Sequence, residues 1–249
     1  MMIPSQSNRK RKSSVDKRSS SAGRFLPRGL AILHEDDDIL VVDKPAGLLT
    51  IATAGEKART AYFVLTDYVR RGCARSPKRL FIVHRLDRET SGVLVFAKNT
   101  EAKLRLQNQW KERETEKKYL AVVQGRVAKR EGIISTYLAE NKAQVVYSTT
   151  DAEKGKLSRT FYRVLRQAKG FSLLEVQPMT GRKHQIRVHL AGIGHPIVGD
   201  TKYGQEPRVG KAPRLALHAR SLSFKHPTSG RQLTFEADVP ALFDRLVGP

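Results

Sequence analysis

An α+β fold, with a mixed and mainly antiparallel central sheet flanked by helices, is predicted by two features of this sequence. Short apolar runs of strand length predominate, and the helical stretches between them are too irregularly placed for a steady βαβ alternation. Size sets a further bound: 249 residues with 39% hydrophobic side chains can bury the core of one large domain or of two lobes.

The elements follow in chain order. Ala31-Ile32-Leu33 and Ile39-Leu40-Val41-Val42 form a hairpin-like opening across the acidic Glu35-Asp36-Asp37-Asp38, and Pro45-Ala46-Gly47 closes the second run with a turn. Residues 60–71 carry Tyr62, Leu65, Tyr68 and Val69 at helical spacing, and residues 100–113 repeat the pattern with Leu104, Leu106 and Trp110 amid charges. Strands are expected at 80–83 and 93–97, then at 119–123, 133–138, 145–148, 160–165, 171–176, 215–224 and 232–236. A further helix is expected over 183–193.

Charge narrows the function. Lys plus Arg number 46 against 24 Asp plus Glu, a formal charge of +22 that goes far beyond what solubility needs. An anionic partner is the first expectation, and nucleic acid is the leading one. A membrane surface would also attract a basic chain, but no apolar run approaches the roughly 20 residues of a spanning helix, and no secretory signal is evident. A soluble, cytoplasmic protein is expected. The one cysteine, Cys73, allows neither an internal disulfide nor a cysteine-based zinc site, which fits a reducing compartment. It reads as a small buried or half-buried filler.

Residues 1–28 differ from the remainder. They hold Arg9, Lys10, Arg11, Lys12, Lys17, Arg18, Arg24 and Arg28 against the single acid Asp16, with serines interspersed. Such a segment buries too little apolar surface to offset its ordering entropy, so a disordered basic arm is expected over 1–28 and a folded domain over 29–249.

Two segments carry chemistry. In His84-Arg85-Leu86-Asp87-Arg88-Glu89-Thr90-Ser91-Gly92 one acid stands between two arginines at the mouth of a strand. Nearby positive charge favours an ionised carboxylate, as a site facing a polyanion requires, although the same residues also describe a solvated surface turn. Asp87 is the best candidate for covalent chemistry, because a carboxylate needs no separate base to become a nucleophile. Ser91 has no identifiable base and reads as a turn or strand-start residue.

The second segment is Thr180-Gly181-Arg182-Lys183-His184-Gln185-Ile186-Arg187-Val188-His189-Leu190. A helix over 183–193 puts Lys183 and Arg187 on one face, suited to phosphates, or to solvent if the helix is simply basic. His184 and His189 are spaced i,i+5 and do not share a face, which argues against a metal. With no phosphate loop, no dinucleotide-binding Gly-x-Gly-x-x-Gly and no nucleophile elbow, no cofactor is implied.

The first of these segments resembles the catalytic motif of the RluA-type pseudouridine synthases, and the likeness continues beyond it. Asp43-Lys44-Pro45-Ala46-Gly47 resembles that family's early turn, Lys118-Tyr119-Leu120-Ala121 its tyrosine strand, and Thr180-to-Leu190 with Gly194-His195-Pro196-Ile197-Val198-Gly199-Asp200 its arginine-bearing motif. Leu217-His218-Ala219 and His226-Pro227 resemble its closing segment, so the likeness spans about residues 30–235.

The resemblance implies isomerisation of uridine to pseudouridine in RNA. The bond from ribose C1′ to uracil N1 breaks, the base turns, and C1′ is rejoined to C5. It implies Asp87 as the catalytic aspartate, acting by addition to the nucleoside or by proton removal at the ribose, with Tyr119 stacked on the base, where it could also assist proton transfer at C5, and Arg187 paired with Asp87. Arg85 would fill the gap left by the flipped uridine, at a cost of a few kcal/mol for flipping. His84, Lys44, Arg182, Lys183 and His184 are expected to face RNA. The expected partner is ribosomal RNA or transfer RNA, with a slight lean to the former, and the expected state is a monomer with no cofactor and no metal. No S4-type RNA-binding domain is recognisable, so RNA capture would rest on the basic domain surface and the arm. The competing expectation is a noncatalytic basic RNA-binding or ribosome-assembly protein, against which Asp87, Tyr119 and Arg187 speak.

Overall fold

The computed structural model describes residues 26–52, 60–168, 170–204 and 214–248. Residues 1–25 of the expected arm lie outside these. Its inner boundary shifts, because Leu26 already packs against buried side chains and Pro27 accepts a hydrogen bond from the N–H of Leu30.

Strands β1 (Ala31–Glu35) and β2 (Ile39–Lys44) form the expected antiparallel hairpin. Asp36 makes its turn, accepting the N–H groups of Asp38 and Ile39 on Oδ1 at 2.9 and 2.8 Å. Helix α1 (Ala61–Arg70) starts where the Thr60 hydroxyl accepts from Phe63 N–H and stops at Arg71 in the left-handed conformation. After β3 (Phe81–Ile82) and β4 (Ser91–Ala97), α2 (Thr100–Glu112) is capped in the same manner by Asn99. Strands β5 (Glu116–Gln124), β6 (Glu131–Glu140), β7 (Val146–Thr149), β8 (Lys156–Ala168) and β9 (Phe171–Pro178) follow. Helix α3 (Gln185–Gly192), β10 (Leu217–Lys225), β11 (Gln232–Glu236) and α4 (Ala241–Val247) complete the chain.

The strands form one sheet in the order β1-β2-β4-β10-β5-β9-β8-β6-β7, with β3 added to β4 and β11 to β10. Only β4 and β10 run parallel among the described pairs, so the sheet is mixed and mainly antiparallel, as expected.

The near-continuous apolar runs of β2 and β4 have a simple cause: both faces of this half of the sheet are covered. Leu40, Val42, Leu94 and Phe96 meet Ala61, Leu65 and Val69 of α1 on one face. Ile39, Val41, Val93 and Val95 meet Ala102 and Leu106 of α2 on the other. In the second half, β5 and β9 bury Leu120, Val122, Leu174 and Val176 against Ile186 and Leu190 of α3 and Leu242, Phe243 and Val247 of α4. Each fully buried Leu or Phe in these layers contributes roughly 1.5–3 kcal/mol. Tyr119 packs against both halves and marks their junction.

Gly92 fixes that junction. It has φ +115°, and a Cβ there would overlap the backbone of Ala219 on the parallel neighbour β10. Gly92→Ala should therefore cost about 3 kcal/mol or more from strain and overlap together. Thermal unfolding should show a fall of roughly 6–12 °C, whereas an unchanged melting temperature would mean that the β4–β10 contact is loose.

Two expectations need correction and one element is added. The helix expected from residue 183 begins at Gln185, because His184 is left-handed with φ 53°, so Lys183 and Arg187 do not share a helical face. Cys73 is exposed, on the loop after α1, and is not a filler of the core. Helix α4 was not anticipated, although Leu242, Phe243, Leu246 and Val247 carry the helical spacing. Among the described residues, no helix is long and apolar enough to cross a membrane.

Candidate active site

Asp87 sits on the loop between β3 and β4, and neighbouring segments grip the backbone of that loop from below. Leu86 is buried, with its N–H donated to Thr50 Oγ1 at 3.2 Å and its carbonyl accepting the same hydroxyl at 2.8 Å. The carbonyl of Arg88 accepts from Gly47 N–H at 2.8 Å and from Lys44 Nζ at 3.2 Å. With Leu86 pointing inward, Arg85 and Asp87 turn outward on either side of it, and both reach solvent.

Lys44 corrects an expectation. It is fully buried, and its ammonium donates to the carbonyls of Pro45 at 2.9 Å and Leu48 at 2.8 Å as well as to Arg88. All three protons are used inside the fold, so Lys44 ties the 45–48 turn to the Asp87 loop and does not meet RNA. Burial pushes its pKa down to about 8, against the pull of Glu89, Asp87 and Asp43. Lys44→Met keeps the stem and strands three carbonyls, so a loss of about 2 kcal/mol and a lower kcat are expected. The salt dependence of RNA binding should stay as it is. A slope shallower by about 0.7–0.9, the signature of one lost phosphate contact, would restore Lys44 to the RNA surface.

His84 is likewise placed inside the fold. Its ring stacks on Trp110 at 4.9 Å between centroids, and its Nε2 accepts from Val95 N–H at 3.2 Å. Burial, with a contribution from Lys117, pushes its pKa down to about 3, so it carries no charge for a phosphate. Ser91 starts β4, its hydroxyl paired with His218 Nδ1 at 2.9 Å and accepting from Arg214 at 3.2 Å, which accounts for it structurally.

The cation facing Asp87 comes from α3. Arg187 Nη1 lies 3.6 Å from Asp87 Oδ2, while its Nε and Nη2 donate to Asp200 Oδ2 and Oδ1, both at 2.8 Å. The firm, bidentate partner of Arg187 is thus Asp200, and Asp87 receives the remaining edge of the guanidinium. Asp200 is buried, and its Oδ1 also accepts the N–H groups of Lys202 at 2.9 Å and Tyr203 at 3.0 Å. Burial opposes its ionisation, but Arg187 and those two N–H groups outweigh burial and hold the carboxyl below its usual range. The ring of Tyr203 completes the cradle, 5.0 Å from the guanidinium carbon.

His184 approaches the same carboxylate, with Nε2 at 3.8 Å from Asp87 Oδ2 and Nδ1 at 2.8 Å from the Tyr203 hydroxyl. Gln185 holds the entry to α3, accepting from Thr180 Oγ1 and Arg182 N–H and donating to Arg159 O and Thr160 Oγ1. Of the other two expected RNA contacts, Lys183 pairs with Glu140 at 2.5 Å at the surface, and Arg182 is exposed.

Tyr119 enters from β5. Burial, and then the charge of Asp87, push its phenol well above the usual tyrosine range, so the hydroxyl stays protonated. A half-open carboxylate thus faces a fixed cation, and the half-buried Tyr119 at the junction of the two halves is close enough for the charge of Asp87 to act on its phenol. Tyr203 and Thr50 carry no sequence signal, and Asp200, which closes the arginine-bearing motif, is given no role there. Asp200 and Tyr203 lie 13 and 16 positions from Arg187, and no local pattern connects them.

Comparison with known proteins identifies the family. The sequence model of the family described as RNA pseudouridylate synthase matches residues 38–192. The chain is 40% identical over 220 residues to "Ribosomal large subunit pseudouridine synthase D" of Nitrosomonas europaea, covering 85% of this chain and 62% of that protein. It is 38% identical over 214 residues to "Dual-specificity RNA pseudouridine synthase RluA" of Escherichia coli (strain K12), covering 84% of this chain and 92% of that one. Among solved structures, "Human RNA Pseudouridylate Synthase Domain Containing 4" superposes with a TM-score of 0.71 at 26% identity, over 86% of this chain and 90% of the other. A family match over residues 38–192, together with relatives 38–40% identical over most of the chain, makes this chain a member of the RNA pseudouridylate synthase family, of the RluA type.

Proposed function

We propose that the chain isomerises uridine to pseudouridine in structured RNA, with ribosomal RNA as its main substrate and Asp87 as the reacting carboxylate. The observation that supports this is Arg187 Nη1 at 3.6 Å from Asp87 Oδ2, with Arg187 locked by Asp200 and Tyr119 near enough for the charge of Asp87 to act on its phenol. In the reaction the C1′–N1 bond breaks, C1′ bonds to C5, the C5 proton leaves and N1 gains a proton, so no cofactor is consumed. Asp87 serves either by adding to the nucleoside or by taking a ribose proton. Both routes need an ionised carboxylate, and the Arg187 guanidinium faces it at 3.6 Å.

Tyr119, held protonated, suits stacking on the extruded base and donating a hydrogen bond, and not service as a phenolate base. Arg85, exposed and two residues before Asp87, would occupy the gap left in the RNA. The protein works as a monomer in the cytoplasm on this reading, with exposed cations such as Arg182 supplying affinity and RNA shape supplying choice. Incubation of the purified chain with ribosomal RNA and transfer RNA lacking pseudouridine, followed by site mapping, tests the substrate. New sites in ribosomal RNA are expected, while modification of transfer RNA alone would overturn the ribosomal assignment.

A further inference from the structure

His184 stands where its ring can act on Asp87 rather than on RNA. Three independent features set it there. Its Nε2 lies 3.8 Å from the carboxylate oxygen that Arg187 also faces. Its backbone is left-handed at φ 53°, a conformation rare for a residue with a side chain and found where the surroundings over-determine a position. Finally, its Nδ1 is held at 2.8 Å by the Tyr203 hydroxyl, which also accepts from Val146 N–H at 3.2 Å.

These contacts accommodate the Nε2–H tautomer. The Tyr203 oxygen spends one lone pair on Val146 N–H, and the acceptor in reach of its own proton is Nδ1. When Tyr203 donates to Nδ1, a neutral imidazole carries its proton on Nε2, directed at Asp87. Burial pushes the pKa of His184 down, with Asp87 working against this and Arg187, Lys202 and Lys183 reinforcing it. Glu140, paired with Lys183, is the other acid whose field it shares. The neutral ring is the working form, so its tautomer matters.

We infer that His184, set by Tyr203 as the Nε2–H tautomer, is a positioning residue that fixes the Asp87 carboxylate by a second donor beside Arg187. The inference rests on Asp87 being the reacting group. A separation of 3.8 Å is long for a hydrogen bond, and such contacts tighten in the substrate complex.

Four variants test it through kcat, KM for RNA and melting temperature. In H184Q the amide nitrogen can take the place of Nε2, and kcat should stay within about threefold of wild type. H184N suits a left-handed backbone, so its stability should be equal or higher, yet its amide falls short of Asp87. Its kcat should drop by about 10- to 100-fold with KM within about twofold, as expected for a misplaced reacting group. Y203F keeps the ring over Arg187 but frees the tautomer, and its kcat should fall. In the double variant H184Q/Y203F the second change should cost nothing further. Equal kcat for H184N and wild type, or a change confined to KM, would overturn the inference. If the asparagine variant of Asp87 also stays active, the reading of Asp87 itself falls. If that variant is dead and H184N is fully active, only the role of His184 is lost.

Discussion

Asp87→Asn should reduce pseudouridine formation by at least about 10³-fold while leaving RNA affinity and melting temperature close to wild type. The side chain keeps its shape and loses only its charge and its capacity to add or to accept a proton, which for a group acting in the transition state is worth 10² to 10⁴ or more. Stability is expected to hold because the carboxylate is 31% exposed and Arg187 retains Asp200 as its bidentate partner. Single-turnover kinetics on labelled RNA, with binding measured alongside, separates chemistry from capture. A variant that binds and reacts normally would remove Asp87 from the mechanism.

The second large effect belongs to the buried pair. Arg187→Met leaves Asp200 ionised, buried and without its guanidinium, which should cost about 3–5 kcal/mol and abolish activity. The pH dependence has a definite sign. In the wild type the carboxyl of Asp200 is held below its ordinary value of 3.8, so its stabilisation is complete above that value and fades as pH falls through the lower, folded one. Without Arg187, burial raises the same carboxyl above its unfolded value, and the variant loses stability as pH rises from about 4. The gap between the two proteins should therefore be small near pH 4 and widest at neutrality, as denaturant unfolding at several pH values can show. Replacing both residues, as Arg187→Met with Asp200→Leu, should recover much of the stability and none of the activity. Recovered activity in the double variant would mean that Asp87 needs no fixed cation.

Much of the fold could be read in the chain because its strongest signals are local. The apolar runs of β2 and β4, the capping residues Thr60 and Asn99 and the Asp36 turn lie within a few positions of what they control. The start of α3 was misplaced because Lys183 extends the helical pattern in sequence, while His184 leaves helical geometry to reach Tyr203 and Asp87. Nothing near Lys44 announces that a lysine will be buried on three carbonyls, since two of those belong to the following turn and one to a loop 44 positions away. Asp87 stands out locally as an acid between arginines and Arg187 as a cation of a basic segment, whereas Tyr119 and the pairing of Arg187 with Asp87 come only through resemblance to a family. Asp200 as the principal partner of Arg187 emerged only when α3 and the 197–203 turn were seen side by side.

Release of tritium from RNA labelled at uracil C5 tests the central claim most directly. The wild-type chain should liberate tritium in step with pseudouridine formed, with RNA length and mass otherwise unchanged, because the reaction is an isomerisation in which only the C5 hydrogen exchanges. Tight binding to cellular RNA with no tritium released from any of it would contradict that claim and leave a noncatalytic RNA-binding protein in its place.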